Sequence, residues 1–358
     1  MTDYSPGRNA SQEAAAVDNL AARLRGWADK APQKAAVIFV ARRQADGRPV
    51  YATRRYLDLE AATDATAYAL RATSAQAGDR TLLLLRPSFD LLVMTLSLLK
   101  IGALPIFIDP AVGFRSLLTC VTEAQPQLVI GVPLAHALRL AAPRAFRSTR
   151  AWITVAQRWP GRQRFLSLAR PPSPPFPLAA TALDNPVAVT YTTGSTGLPK
   201  GAIYTTRMFV ALLDQLGGLF GAQADDIDLA AFPLFALFDI LLGLTSVLPD
   251  LDVTRPAQVN PARLVEAIQA QRVTLAFGSP ALWEPVTRYC QAQGLTLPTL
   301  RRVLMAGAPV PPQLLERFAH LLPPGADTCT PYGATEALPI TAPLGADETL
   351  APSGHWCS

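Results

Sequence analysis

The chain has 358 residues, half of them hydrophobic, with 33 prolines and a formal net charge of +5. That length and apolar share allow one large α/β unit or two to three domains, and the mild charge gives no ground for a nucleic-acid partner. Four scattered cysteines (Cys120, Cys290, Cys329, Cys357) and three unclustered histidines (His136, His320, His355) offer neither zinc-ligand spacing nor a disulfide framework, and they disfavour a His-based hydrolase.

The N-terminus opens Met1-Thr2-Asp3-Tyr4 with no apolar signal region, so a cytoplasmic, reduced protein is expected. Residues 1–10 are expected to be a disordered tail. Ser11 to Lys30 has helical spacing (Ala14, Val17, Leu20, Ala21, Leu24, Trp27). Ala35–Val40 and Val50–Thr53 read as a hairpin, and Tyr56–Ala75 as an Ala-rich helix. Arg80–Leu85 is a buried strand, and Ser88 can cap a helix over Phe89–Lys100 that Gly102 stops. Leu104–Ile108, a helix over Phe114–Ala124 and the strand Leu128–Ile130 continue the alternation, which implies a largely parallel sheet. No acidic residue lies between Glu123 and Asp184, where Arg139, Arg144, Arg147, Arg150, Arg158, Arg162, Arg164 and Arg170 fall. That stretch reads as a solvated basic face, with an anionic carrier, a protein partner or a membrane surface as alternatives.

The proline run at 171–177 is expected to be an extended linker between a first α/β subdomain (11–170) and a second (178–345), with an atypical tail at 346–358. In the second, Val187–Tyr191 is a strand, Ala202–Tyr204 an apolar run and Thr206–Gly217 a helix. Leu229–Leu248 is apolar enough to raise a membrane span, but Pro233 and Asp239 within it favour a buried strand, turn and helix. Asn260-Pro261 starts a helix to about Gln271. Strands at Val273–Phe277 and Arg302–Met305 end in Gly278-Ser279-Pro280 and Ala306-Gly307-Ala308-Pro309. A helix over Pro312–Leu321 follows, and Asp327–Thr330 leads into Pro331-Tyr332-Gly333-Ala334-Thr335-Glu336. Ligands of parallel sheets sit outside the carboxyl ends of the strands, so these small-residue turns are expected to line one crevice.

Thr192-Thr193-Gly194-Ser195-Thr196-Gly197-Leu198-Pro199-Lys200-Gly201 is the most informative stretch. Its hydroxyls and glycines can turn donors toward an anion, and Lys200 adds a point charge. It is not the Walker loop, because the glycine spacing differs and Gly201 follows Lys200. Glu336 could hold Mg²⁺ that also touches phosphate, Tyr332 could stack on a base, and Gly307-Ala308 could floor it.

This loop resembles the phosphate loop of the adenylate-forming superfamily, the acyl- and aryl-CoA synthetases and their relatives. Pro331–Glu336 is similar to that family's aromatic-Gly-x-Thr-Glu motif, and Gly307-Ala308-Pro309 to its adenine-side turn. Leu99-Lys100-Ile101-Gly102-Ala103 through Asp109-Pro110 is similar to an early core motif. The resemblance implies the large N-terminal domain of that fold: mostly parallel sheets flanked by helices in αβαβα layers. It implies ATP with Mg²⁺, attack of a carboxylate on the α-phosphate, an acyl-adenylate and released pyrophosphate. By this resemblance Thr192, Thr193, Gly194, Ser195, Thr196, Gly197 and Lys200 hold phosphates. Gly307, Ala308, Pro309, Tyr332 and Gly333 receive the nucleoside, Thr335 contacts the α-phosphate or acyl carboxylate, and Glu336 binds the metal. Lys200, Thr335 and Glu336 are the catalytic candidates.

Phe232-Pro233-Leu234-Phe235-Ala236-Leu237-Phe238 with Pro331–Pro339 resembles the β-lactone synthetases of bacterial long-chain olefin synthesis. Those adenylate a 2-alkyl-3-hydroxy fatty acid, and its own hydroxyl closes the lactone, an intramolecular advantage. Phe235, Ala236, Phe238, Phe277, Gly278 and Ser279 are then the expected acyl-side residues, with core packing as the alternative for the phenylalanines. A fatty acyl-CoA or acyl-AMP ligase, and a non-catalytic remnant binding nucleotide or a pathway partner, remain open beside this. The family's C-terminal lid domain is not found in the sequence, so a truncated form with weak ATP binding and poor turnover is expected.

Overall fold

Short β-branched and Leu-rich runs alternate with capped helices along the chain, and most strands find a parallel neighbour, as helical crossovers allow. The computed structural model describes residues 19–109, 112–133, 135–155, 174–192, 199–252 and 255–341. By contacts the chain divides into two units, Met1–Lys34 with Arg55–Ala211, and Ala35–Arg54 with Leu212–Ser358. The sequence placed the break at 171–177 instead. Strand pairing accounts for the difference, since residues 186–205 complete the first unit's sheet and residues 35–55 join the second's.

Between α1 (Ala21–Lys30) and α2 (Tyr56–Ala72) the chain leaves the first unit to form β1 (Ala35–Arg43) and β2 (Pro49–Arg55). The first unit continues through β3 (Arg80–Leu84), α3 (Phe89–Ile101), β4 (Leu104–Ile108) and α4 (Gly113–Ala124). It is completed by β5 (Leu128–Gly131), α5 (Ala135–Ala141), β6 (Ala151–Thr154), β7 (Pro186–Thr192) and β8 (Lys200–Thr205). Its sheet has the order β6-β5-β3-β4-β7-β8, parallel except for the last pair. Ser88 caps α3 by accepting the Leu91 N–H at 3.4 Å, and Gly102 ends it in the left-handed region.

Apart from Asp90, α3 is buried along its whole length, as a helix apolar on every side requires. Lys100 lies on it with no exposed surface, so its ammonium has to be neutralised internally. Nζ lies 2.8 Å from Glu60 and 2.5 Å from Asp64 on α2, and Arg25 of α1 donates to Glu60 at 2.9 Å and to the Phe176 carbonyl at 2.8 Å. Lys100, part of the early motif in sequence, is thus the centre of a two-cation, two-anion cluster that ties three helices. Arg150 of the basic stretch pairs with Asp79 and donates to the Ser74 carbonyl at 3.0 Å, while Arg158, Arg162, Arg164 and Arg170 lie outside the described residues.

The second unit is entered within α6 (Thr206–Phe220) and runs β9 (Ile227–Ala230), α7 (Pro233–Leu242), β10 (Thr245–Leu248), α8 (Pro261–Ala270) and β11 (Leu275–Gly278). Then come α9 (Pro280–Gln293), β12 (Arg302–Met305), α10 (Pro312–Ala319), β13 (Asp327–Cys329) and the pair β14 (Tyr332–Ala334) and β15 (Ala337–Thr341). The main sheet has the order β13-β12-β11-β9-β10-β1-β2, and its five ladders from β13 to β1 are parallel. The apolar stretch 229–248 is therefore strand, helix and a second strand, and no helix among the described residues is long and apolar enough to cross a membrane. Trp283, Phe318, Leu229, Ile268 and Val286 are central to the core. Asn260 caps α8 through the Arg263 N–H at 3.3 Å.

Candidate active site

In the first unit, β7 and β8 pair antiparallel with Thr192 opposite Lys200 and Tyr191 opposite Gly201. The hydroxyl-rich loop is therefore the connection of a hairpin whose base is fixed. Thr193, Gly194, Ser195, Thr196 and Gly197 lie outside the described residues, whereas Thr192 and Lys200 are described, the latter exposed. The base is set by a close contact. A Cβ on Gly201 would lie 2.7 Å from Cζ and 3.0 Å from Cε1 and Oη of Tyr191, so only glycine lets the ring lie flat against the strand. Tyr191 is buried among Leu82, Ile106, Val121 and Phe146. Burial and the Glu123 carboxylate, to which the phenol donates, push its pKa up to about 12. The Asp109 N–H donates to the Tyr191 carbonyl at 3.0 Å, so the Asp of the early motif sits where β4 and β7 end together.

In the second unit, β9, β11, β12 and β13 are parallel neighbours with Phe277 opposite both Ala230 and Leu304, and Leu304 opposite Cys329. Their carboxyl ends lie on one edge, as the sequence predicted for three of them. After β9 comes α7, with Pro233 in its first turn. Phe235 stacks on Phe277 with centroids 3.9 Å apart and planes 9° apart, and meets Phe238 edge-on at 5.6 Å. Ala236 is fully buried, while Phe235 and Phe277 pack on the cluster of Phe220, Leu244, Leu275, Leu304 and Cys329. After β11, a Cβ on Gly278 would fall 2.5 Å from Trp283 Nε1 and 2.6 Å from a Leu282 methyl. Ser279 caps α9 by accepting the Leu282 N–H at 3.3 Å. After β12, Gly307 has φ +90° with open space where a Cβ would be, and Ala308 and Pro309 are exposed.

After β13, Tyr332 opens β14 and is 67% exposed, an apolar ring that the fold leaves uncovered. Ala334 pairs with Ala337, which makes Thr335-Glu336 the two-residue turn of the hairpin. Gly333 is needed there, since a Cβ would meet a Leu338 methyl at 2.6 Å and the Ala337 carbonyl at 2.9 Å. Glu336 is exposed at this tip, and the described residues contain no group of three or more His, Cys, Asp or Glu side chains that could hold a metal alone. Mg²⁺ bound with a nucleotide needs only one or two carboxylates beside phosphate oxygens and water, and Glu336 suits that mode. An exposed aromatic face, an open glycine turn and one solvated carboxylate on one edge are a chemically suitable set for an adenine nucleotide.

Sequence reasoning passed over the Tyr191–Gly201 contact and two buried carboxyls, Asp228 on β9 and Asp239 on α7. Lone acids inside apolar runs were the available signal for the latter. Asp239 was used there only to argue against a membrane span.

Residues 24–355 match the family model described as AMP-binding enzyme. The chain is 44% identical over 335 residues to an olefin beta-lactone synthetase of Stenotrophomonas maltophilia, covering 91% of this chain and 59% of that protein. It is 41% identical over 331 residues to the protein of the same name in Xanthomonas campestris pv. campestris, covering 90% and 58%. The chain thus spans about three fifths of the length of these curated relatives. Among solved structures, the N-terminal domain of FACL13 from Mycobacterium tuberculosis superposes with a TM-score of 0.73 at 21% identity, covering 89% of this chain and 77% of that one. At that identity the likeness concerns the fold alone.

Proposed function

Since the chain belongs to the AMP-binding enzyme family, we propose that it activates a long-chain 2-alkyl-3-hydroxy acid with ATP and Mg²⁺ and yields a β-lactone, AMP and pyrophosphate. The observation that carries this reading is the common carboxyl edge of β9, β11, β12 and β13, where the aromatic run, Gly278-Ser279, Gly307–Pro309 and Tyr332–Glu336 all begin. The name of the two similar proteins supports the lactone as product.

In this reading the acid's carboxylate attacks the α-phosphate of ATP, the bond from the α-phosphorus to the bridging oxygen breaks, and pyrophosphate leaves. The substrate's 3-hydroxyl then attacks the acyl carbon, loses its proton and expels AMP. Tyr332 stacks on adenine, with Gly307, Ala308 and Pro309 beneath it and Gly333 admitting the hairpin turn. Thr335 donates to the α-phosphate or the acyl carboxylate. Thr192, Thr193, Gly194, Ser195, Thr196, Gly197 and Lys200 hold the departing phosphates, where placed donors act on charge that develops in the transition state. Glu336 would hold Mg²⁺, which when bound would supply charge neutralisation for the phosphates. Phe235, Ala236, Phe238, Phe277, Gly278 and Ser279 face the acyl chain.

The test is incubation of the protein with ATP, Mg²⁺ and a 2-alkyl-3-hydroxy acid, with and without coenzyme A, assaying AMP and organic products. Lactone formed without coenzyme A is the expected result. A thioester formed only with coenzyme A would instead establish an acyl-CoA ligase, and no AMP under either condition would remove the activating role.

A further inference from the structure

Asp228 and Asp239 are 0% and 1% exposed. They belong to adjoining elements, β9 and α7, and their carboxyl groups are within hydrogen-bonding reach of each other. Ser246 of β10 donates to Asp239 Oδ2 at 2.7 Å. Neither oxygen of Asp228 receives a well-formed hydrogen bond from an N–H or O–H group among the described residues. The other charged groups nearby are already engaged: Asp226 by Arg301 and Thr274, and Arg43 of β1 by Asp250 and Glu266. Apart from Asp239, α7 carries no charged residue.

Two buried carboxylates in contact cannot both keep their charge. A protonated Asp228 donating to an ionised Asp239 removes one charge and satisfies the other with two donors, counting Ser246. The Asp239 carbonyl also closes the end of α7 by accepting the Leu244 N–H at 2.9 Å. One turn upstream on the same helix is Phe235, stacked on Phe277.

We propose that Asp228 and Asp239 share one proton at and above neutral pH, and that this proton seats α7 on β9 and β10 and so holds Phe235 against Phe277. They are a positioning pair for the aromatic cluster, whatever the substrate, and the inference stands apart from the functional reading above. Burial raises both carboxyls, Asp239 to about 7 and Asp228, facing Asp239, well above the usual range.

The unfolded chain releases these protons near the ordinary Asp value, and the folded one keeps them. Folded stability is therefore greatest below about pH 4 with respect to this pair and declines as pH rises. Above pH 7 Asp239 is ionised in both states, and Asp228 alone still binds a proton only when folded. The unfolding equilibrium constant then rises with pH on account of this one group, by at most about tenfold per unit.

The test is urea unfolding of the wild type and Asp228→Asn at pH 7, 8 and 9. The asparagine amide donates permanently to Asp239, so the variant's unfolding equilibrium constant should rise less steeply with pH than the wild type's over those two units. Equal pH slopes in the two proteins would overturn the proposal. Should the variant not fold, infrared spectra of the wild type decide: a protonated-carboxyl C=O stretch retained at pH 8 is the expected result, and its absence there refutes the shared proton.

Discussion

Gly201→Ala tests whether the base of the hydroxyl loop is set by the Tyr191 ring. The added methyl would sit 2.7 Å from Cζ and 3.0 Å from Cε1 and Oη, against a comfortable separation of about 3.5–4.0 Å. The ring must therefore retreat by roughly 1 Å into a packed cluster, and overpacking of that kind costs about 1–3 kcal/mol. Alanine's smaller unfolded-state entropy returns about 0.4–1 kcal/mol, leaving a net loss of about 0.5–2 kcal/mol. A double-mutant cycle isolates the contact. Tyr191→Leu removes the ring, so in that background Gly201→Ala should keep only its entropic gain of about 0.4–1 kcal/mol, giving a coupling of about 1–3 kcal/mol by urea unfolding. Because Lys200 is the next residue and pairs with Thr192, the same substitution should lower kcat/KM for ATP by about 10–100-fold, as displacements near 1 Å do at reacting groups. Additive stability effects, within about 0.3 kcal/mol, would refute the steric argument however activity responds.

Three further outcomes follow from the packing and the site. Lys100→Met leaves Glu60 and Asp64 buried with Arg25 alone, and should destabilise the chain by about 3–5 kcal/mol in thermal unfolding; a loss below 1 kcal/mol would show the cluster to be dispensable. Gly278→Ala places a methyl against the fully buried Trp283, so about 1–3 kcal/mol of stability and a shift in tryptophan emission are expected. Unchanged stability would mean α9 shifts freely at its start. Glu336→Gln, at an exposed hairpin turn, should leave the unfolding midpoint unchanged and lower pyrophosphate exchange by about 10²–10³. A variant with normal exchange would remove Glu336 from the metal role.

Sequence legibility followed local chemistry. The strands Leu104–Ile108 and Arg302–Met305 and the helices begun by Ser88 and Asn260 were readable because their caps and apolar runs act over a few residues. The helix Pro280–Gln293 was not, since Pro285 interrupts its periodicity and its burial comes from α8 and α10 rather than from a clean stripe. The division into units was unreadable for a related reason. It depends on which strand pairs with which, and β1 joins β10, some two hundred positions downstream.

The site divides the same way. Turns such as Gly307–Pro309 and Tyr332–Glu336 announce themselves because small residues and an exposed aromatic are costly unless a backbone shape or a ligand needs them. What holds those turns in place is silent in one dimension. Tyr191 looks like an ordinary strand residue until its ring is seen to occupy the space over Gly201, and Asp228 looks like a polar position on a strand until Asp239 is found facing it. Both depend on pairs brought together by folding, one across a ladder and one across a strand–helix interface. Substitutions in these supports should therefore change stability and pH response first, whereas replacing an exposed, unpacked side chain of the turns, such as Glu336, should change chemistry alone. Measuring both quantities on each variant separates the two classes, and a Glu336→Gln protein as unstable as Gly278→Ala would break that distinction.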